Sequence, residues 1–239
     1  MAASTTSSRI RSIALVGNPN TGKTTLFNGL TGLTQRVGNY PGVTVEERSG
    51  RLRFPDGGEV RVLDLPGTYS LTAHSPDEAV VSDVLFGGMG GEYDVDAILA
   101  VVDASNLERN LYLVSQVMEV GVPVVVALNM VDVARSRGIE VDVDGLSLRL
   151  GVPVISTCAN RGQGLDALRS CIAEALACGS SPAEETLPRY PEVLTREVRT
   201  LVEAINRSPE GSPGAVSDAV VLRAVVDENG STERLVGSG

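Results

Sequence analysis

The sequence predicts an α/β fold: a three-layer αβα sandwich on a mostly parallel, six-stranded sheet with one antiparallel hairpin strand, followed by a small α-helical appendage. Three observations carry that prediction. Apolar runs alternate along the chain with helix-period segments, the pattern of strands covered on both faces. A glycine-bounded loop, Gly17-Asn18-Pro19-Asn20-Thr21-Gly22-Lys23-Thr24, joins the first apolar run to the first helical segment. A strong turn signal, Pro55-Asp56-Gly57-Gly58, closes one early hairpin.

In chain order, residues 1–8 are short, polar and without the apolar stretch of a signal peptide, and read as a disordered tail. Strands are expected at residues 13–16, 44–54, 59–64, 95–102, 122–128 and 152–156. Helical patterns fall at 25–30, 106–120 and 164–177. Together these make one domain over residues 9–180. A Pro/Ser-rich boundary then opens a helical domain, 181–239. There Leu194, Val198, Leu201 and Ile205 share one helix face, residues 206–214 are a linker, and Ser217 caps a second helix through Val226. Two helices cannot bury a core alone, so they dock on the first domain or begin a bundle that the chain truncates; truncation is the favoured expectation.

Composition narrows the function classes. The 239 residues are 42% hydrophobic with no Trp, so the core is aliphatic, and the net charge of −10 argues against nucleic acid or anionic lipid as the main partner. Cys158, Cys171 and Cys178 form no CxxC pair and leave one over, which fits a reduced, cytosolic setting. Cys171 and Cys178, seven apart on a helix, read as small core hydrophobes. His74 is the single histidine, and neither it nor the cysteines offer an Fe²⁺ ligand set. No apolar run approaches the roughly 18 residues needed to span a bilayer, so the chain as given reads as soluble.

The chemistry begins at the glycine-bounded loop. Glycine at both ends lets it curl so that backbone N–H groups point inward at a helix start, a nest for phosphate. Lys23 reaches the β- and γ-phosphates, the Thr24 hydroxyl takes a Mg²⁺ position, and Thr25 extends the nucleotide-binding run. This is the loop of a P-loop NTPase. Asp64-Leu65-Pro66-Gly67 ends a strand in D-x-x-G form: Asp64 can hold a water on Mg²⁺, and the Gly67 N–H can bond the γ-phosphate and be released when it leaves.

Asn129-Met130-Val131-Asp132 selects guanine. The Asp132 carboxylate can accept from both N1–H and the exocyclic amine, whereas adenine would leave it unpaired. Met130 supplies flat apolar packing against the ring, and Asn129 braces neighbouring loops. In the loop at residues 156–160, holding Cys158 and Ala159, the Ala159 N–H is the candidate for guanine O6. Thr44 is the best-placed second Mg²⁺ hydroxyl, in a Gly- and Pro-containing stretch that reads as a mobile loop, with Thr34 as competitor.

With these motifs in place, the chain resembles the cytosolic N-terminal part of ferrous iron transport protein B of bacteria and archaea. The resemblance rests on Gly17 to Asn28, Gln35 to Glu46, Asp64 to Leu71 and Asn129 to Asp132, covers residues 9–178 well, and includes Met130, ordinary for that family. It implies a GTPase domain, a helical domain and then a multi-span membrane domain that moves Fe²⁺, seated at the cytoplasmic face of the bacterial inner membrane. Expected ligands are GTP and GDP, with Mg²⁺ as cofactor. The expected partner is the Fe²⁺ transport domain of the same full-length protein, with small cytosolic accessory proteins and oligomers as further candidates and no nucleic acid. Lys23, Thr44, Gly67 and Asn20 are the expected catalytic set. Thr68 stands where many signalling GTPases place a water-orienting glutamine, implying slow intrinsic hydrolysis or another aid. The Asn20 match implies K⁺, held with the carbonyls of Gly38 and Tyr40. Two alternatives stay open: a ribosome- or tRNA-associated assembly GTPase, and a nucleotide sensor with negligible turnover.

Overall fold

The first apolar run forms β1 (Ser12–Gly17) in the computed structural model, which describes residues 10–32, 35–72, 75–87, 93–207 and 216–226. The tail at 1–8, Thr34, His74, most of the 206–214 linker and the chain end lie outside those residues. Along β1, Ile13 and Leu15 face one buried layer while Ala14 and Val16 face the other. That double burial is why the run carries no polar alternation. The loop then leads into α1 (Lys23–Thr31), which stops at Gly32, whose left-handed backbone (φ 66°) lets its N–H reach the Asn28 carbonyl.

Next come β2 (Gln35–Asn39), β3 (Glu46–Arg53) and β4 (Glu59–Asp64), paired antiparallel in sequence, and α2 (Pro76–Phe86). Then follow β5 (Ala97–Asp103), α3 (Leu107–Met118), β6 (Val124–Asn129), α4 (Val131–Ser136), α5 (Val143–Leu150), β7 (Val154–Ser156) and α6 (Leu165–Cys178). The sheet order is β2-β3-β4-β1-β5-β6-β7, parallel from β4 onward. Helices α1 and α6 cover one face with Leu26, Phe27, Leu168 and Ile172; α2 and α3 cover the other with Val80, Val84, Leu113 and Val117. The carboxyl ends of β1, β4, β5 and β6 therefore open onto one crevice, where such sheets bind ligands.

The sheet has seven described strands where six were expected. The addition is β2, in the stretch expected to be a mobile loop. Its side chains from Arg36 to Asn39 are exposed, so backbone pairing with β3, not burial, holds it at the sheet edge. Thr44 lies in the turn before β3 and not in a strand. Cys171 packs on the α1/α6 core, but Cys178, the last residue of α6, is exposed.

The appendage consists of α7 (Glu192–Arg207) and α8 (Asp218–Val226). It docks on the first domain. Arg223 of α8 forms an ion pair with Glu119, just past α3, with both side chains only 6% exposed, and the Tyr190 hydroxyl donates to Glu119 Oε1 at 2.6 Å. No helix among the described residues is long and apolar enough to cross a membrane.

Candidate nucleotide-binding site

Two left-handed residues shape the loop after β1: Asn20 at φ 67° and Gly22 at φ 80°. Thr21 fastens the turn by donating from Oγ1 to the Asn18 carbonyl at 2.9 Å. A side chain at Gly17 would put its Cβ 2.7 Å from the Val101 carbonyl on β5, so only glycine lets the chain leave β1 there. The result is an open depression of about 410 Å³ lined by Asn18, Pro19, Asn20, Gly22, Lys23, Thr24, Thr25 and Gly67.

Charge is arranged around it. The Lys23 ammonium pairs with the Asp64 carboxylate at the end of β4, both side chains largely buried. Gly67 packs on Pro19, and Thr68 N–H donates to the Gly17 carbonyl at 3.2 Å, so the D-x-x-G segment lies across the start of the loop. Thr68 is buried, and its hydroxyl donates to the Ser70 carbonyl at 2.5 Å.

A hard divalent cation fits here in part: the exposed Thr24 hydroxyl lines the depression and the Asp64 carboxylate stands beside Lys23. Thr44, Gly38 and Tyr40 belong to the β2–β3 hairpin and are not among the described lining residues. The Tyr40 carbonyl accepts from Val43 N–H at 3.3 Å, and its ring is buried 5.5 Å from that of Tyr93. Of the three residues expected around K⁺, only Asn20 lines the depression, so the K⁺ set is not assembled in this arrangement. Among the described residues no cluster of three or more His, Cys, Asp or Glu side chains is suited to a metal.

At the end of β6 the buried Asn129 joins three segments. Its Nδ2 donates to the Thr21 carbonyl at 2.8 Å, while Oδ1 accepts from Ala159 N–H at 3.0 Å and Thr157 Oγ1 at 3.2 Å. Met130, left-handed at φ 59°, places Cε 3.4 Å from where a Gly22 Cβ would stand, so it lies against the phosphate loop. Asp132 sits in the first turn of α4, half-buried. The neighbouring Cys158 thiol first, then backbone N–H groups and Arg161 at 3.5 Å, hold its carboxyl below the usual range. Burial first, and then Asp132, push the Cys158 thiol up. The Ala159 N–H is given to Asn129 here, and a purine O6 would have to share it.

Thr157, inside the 156–160 loop, had no role assigned to it. Arg161 is a site residue that the sequence did not reveal, because a lone guanidinium in a loop carries no spacing signal. Gln116 is another. Its Oε1 accepts from Leu71 N–H at 2.8 Å, just beyond the D-x-x-G segment.

The family model described as ferrous iron transport protein B matches residues 11–172. The chain is 51% identical to the Fe(2+) transporter FeoB of Escherichia coli K12 over 199 residues, which are 81% of this chain and 24% of that protein. It therefore spans about a quarter of the length of that curated relative. The cytosolic domain of the T. maritima FeoB iron transporter in its GMPPNP form superposes with a TM-score of 0.80 at 33% identity, over 95% of this chain and 86% of that one. The isolated T. maritima G domain gives 0.63 at 40% identity, over 70% of this chain and 99% of that one. With motif, fold and kinship in agreement, the chain belongs to the ferrous iron transport protein B family and carries its N-terminal P-loop G-domain fold.

Proposed function

We propose that this chain is a GTP-binding and GTP-hydrolysing switch that regulates an Fe²⁺ transport domain belonging to the rest of the full-length protein. The observation that carries the proposal is the Asn129 junction, which ties the phosphate loop to the guanine-selecting segment and to the Ala159 loop. A triphosphate entering the depression meets inward N–H groups and the helix start of α1. Lys23 then exchanges the Asp64 carboxylate for phosphate oxygens, which frees Asp64. Gly67 N–H bonds the γ-phosphate, and its loss on hydrolysis releases the segment. Asp132 and Met130 hold the base, and Cys158 and Ala159 close its far side. Thr24 and Asp64 would hold Mg²⁺, which would supply charge neutralisation at the phosphates.

The engaged Thr68 hydroxyl supports slow unaided turnover, and it is the one observation that favours a nucleotide sensor as second choice. Stimulation by K⁺ at Asn20 requires the Gly38–Tyr40 hairpin to move toward the loop, as does recruitment of Thr44. The proposed setting is the cytoplasmic face of the inner membrane. The acidic charge counts against an RNA-associated role.

Calorimetry with Mg²⁺ and single-turnover phosphate release test the proposal. GTP is expected to bind at least about a hundredfold tighter than ATP. Lys23→Ala is expected to slow phosphate release at least about a hundredfold. Equal binding of ATP and GTP sinks the guanine reading, turnover unaffected by Lys23→Ala sinks the catalytic one, and equal rates in Na⁺ and K⁺ buffers remove the K⁺ role.

A further inference from the structure

We propose that Gln116 and Glu119 are positioning residues that make α3 a strut between the γ-phosphate-sensing segment and the α7/α8 appendage. The proposal rests on the nucleotide reading above and assigns it a physical output. Along its length α3 touches the nucleotide machinery three times, twice through Arg109 in its first turn and once through Gln116 in its last. The Arg109 guanidinium stacks 4.0 Å from the centre of the Tyr69 ring, the Arg109 carbonyl accepts from Asn18 Nδ2 at 3.5 Å, and buried Gln116 accepts from Leu71 N–H. The last of these is directional: Leu71 is buried, so its N–H has no water to turn to if the segment shifts and Gln116 does not follow.

Glu119, just past the end of α3, lies three residues beyond Gln116, its N–H on the Gln116 carbonyl at 3.2 Å. Its two carboxylate oxygens are taken by different parts of the appendage: Oε1 by Tyr190 before α7, Oε2 by Arg223 on α8. The pair is shielded from water, so separating it would leave two uncompensated charges. Any displacement of Gly67 to Leu71 that moves α3 is therefore handed to α8, with Val220 and Val221 buried beside Arg223. Coupling of this kind is reciprocal, so holding the appendage also biases the segment.

Hydrogen exchange of Asp218–Val226, measured on the 239-residue chain with Mg-GDP and with Mg-GMPPNP, tests the strut. In the unaltered chain, exchange in α8 is expected to differ at least about fivefold between the two nucleotides. Gln116→Leu leaves the Glu119–Arg223 pair in place, so α8 stays as protected as before while the nucleotide dependence disappears. The paired swap Glu119→Met with Arg223→Met gives the same loss from the other end. Equal α8 exchange in both nucleotides in the unaltered chain overturns the proposal, as does a difference that survives Gln116→Leu. Fluorescent-nucleotide titration of the same samples separates the two levels: if the unaltered chain binds neither nucleotide, the function itself falls and the strut with it.

Discussion

Gly22 shows how tightly single positions determine this site. Its left-handed backbone strains any other residue, and an added Cβ would stand 2.4 Å from Asn129 Nδ2. Gly22→Ala is therefore expected to cost about 1–3 kcal/mol in urea unfolding and to break the Asn129–Thr21 brace, weakening nucleotide binding. An unchanged urea midpoint would show that the loop relaxes freely. Asp132→Asn is expected to reverse base preference from GTP to xanthosine triphosphate, because the amide donates where xanthine accepts; retained GTP preference in competition binding would place the base elsewhere. The depressed carboxyl of Asp132 also sets a pH window. A lowered value means the charge-dependent contribution is present above the ordinary 3.8 and is lost only as pH falls through the depressed value. The GDP-to-inosine-diphosphate affinity ratio is thus expected to stay flat between about pH 5 and pH 8. Lys23, Asp64 and Asp132 were legible in the sequence because each sits in a contiguous motif. Arg161 and Gln116 were not, since their roles come from pairings between segments far apart in the chain.

At the scale of elements, the strands with continuous apolar runs and the helices α3 and α6 were readable from periodicity alone, each within a few residues of its bounds. α2 was missed although Ser75, Pro76 and Glu78 carry a start signal, with Ser75 Oγ accepting from Glu78 N–H at 3.3 Å. β2 was missed for a better reason: Gln-Arg-Val-Gly-Asn has no buried face to announce, and only its partner strand makes it a strand. The hairpin it forms is anchored by Tyr40, whose ring is buried while its hydroxyl has no hydrogen-bond partner among the described residues. Burial, with Glu47 and Tyr93 nearby, holds that hydroxyl far above the usual tyrosine range, so it stays neutral. A buried, unpaired donor is a cost to the fold, of about 1–3 kcal/mol. Tyr40→Phe is accordingly expected to leave the urea midpoint unchanged or raised by up to about 1 kcal/mol equivalent, with no change in slope. A clear loss of stability would mean that the hydroxyl is satisfied in solution.

For the whole molecule, the question is how firmly the appendage belongs to the G domain. The two buried apolar layers are built from the sheet and the helices packed on it, and among the described residues neither layer includes one from α7 or α8. Loss of the appendage contact should then be local. The contact itself is a buried ion pair whose net worth depends on what replaces it. Removing one member strands the other charge among apolar groups, at about 3–5 kcal/mol, whereas exchanging both for packed apolar side chains is close to neutral. Tyr190 shares Glu119, and burial together with that bond pushes its hydroxyl up to about 12, so the cluster keeps its protonation through the physiological range. A double-mutant cycle follows. Glu119→Ala and Arg223→Ala are each expected to release α8, read as early hydrogen exchange in Asp218–Val226, while the sheet unfolds at its usual urea concentration. Glu119→Met with Arg223→Met is expected to keep α8 protected, so that the single losses sum to far more than the double. If the singles and the double all leave α8 as protected as in the unaltered chain, the pair contributes nothing and α8 is held by Val220, Val221 and the α7 face. If the singles lower the transition of the sheet as well, the appendage and the G domain fold as one cooperative body, because only a shared core could pass a loss at α8 to strands on the far side of α3.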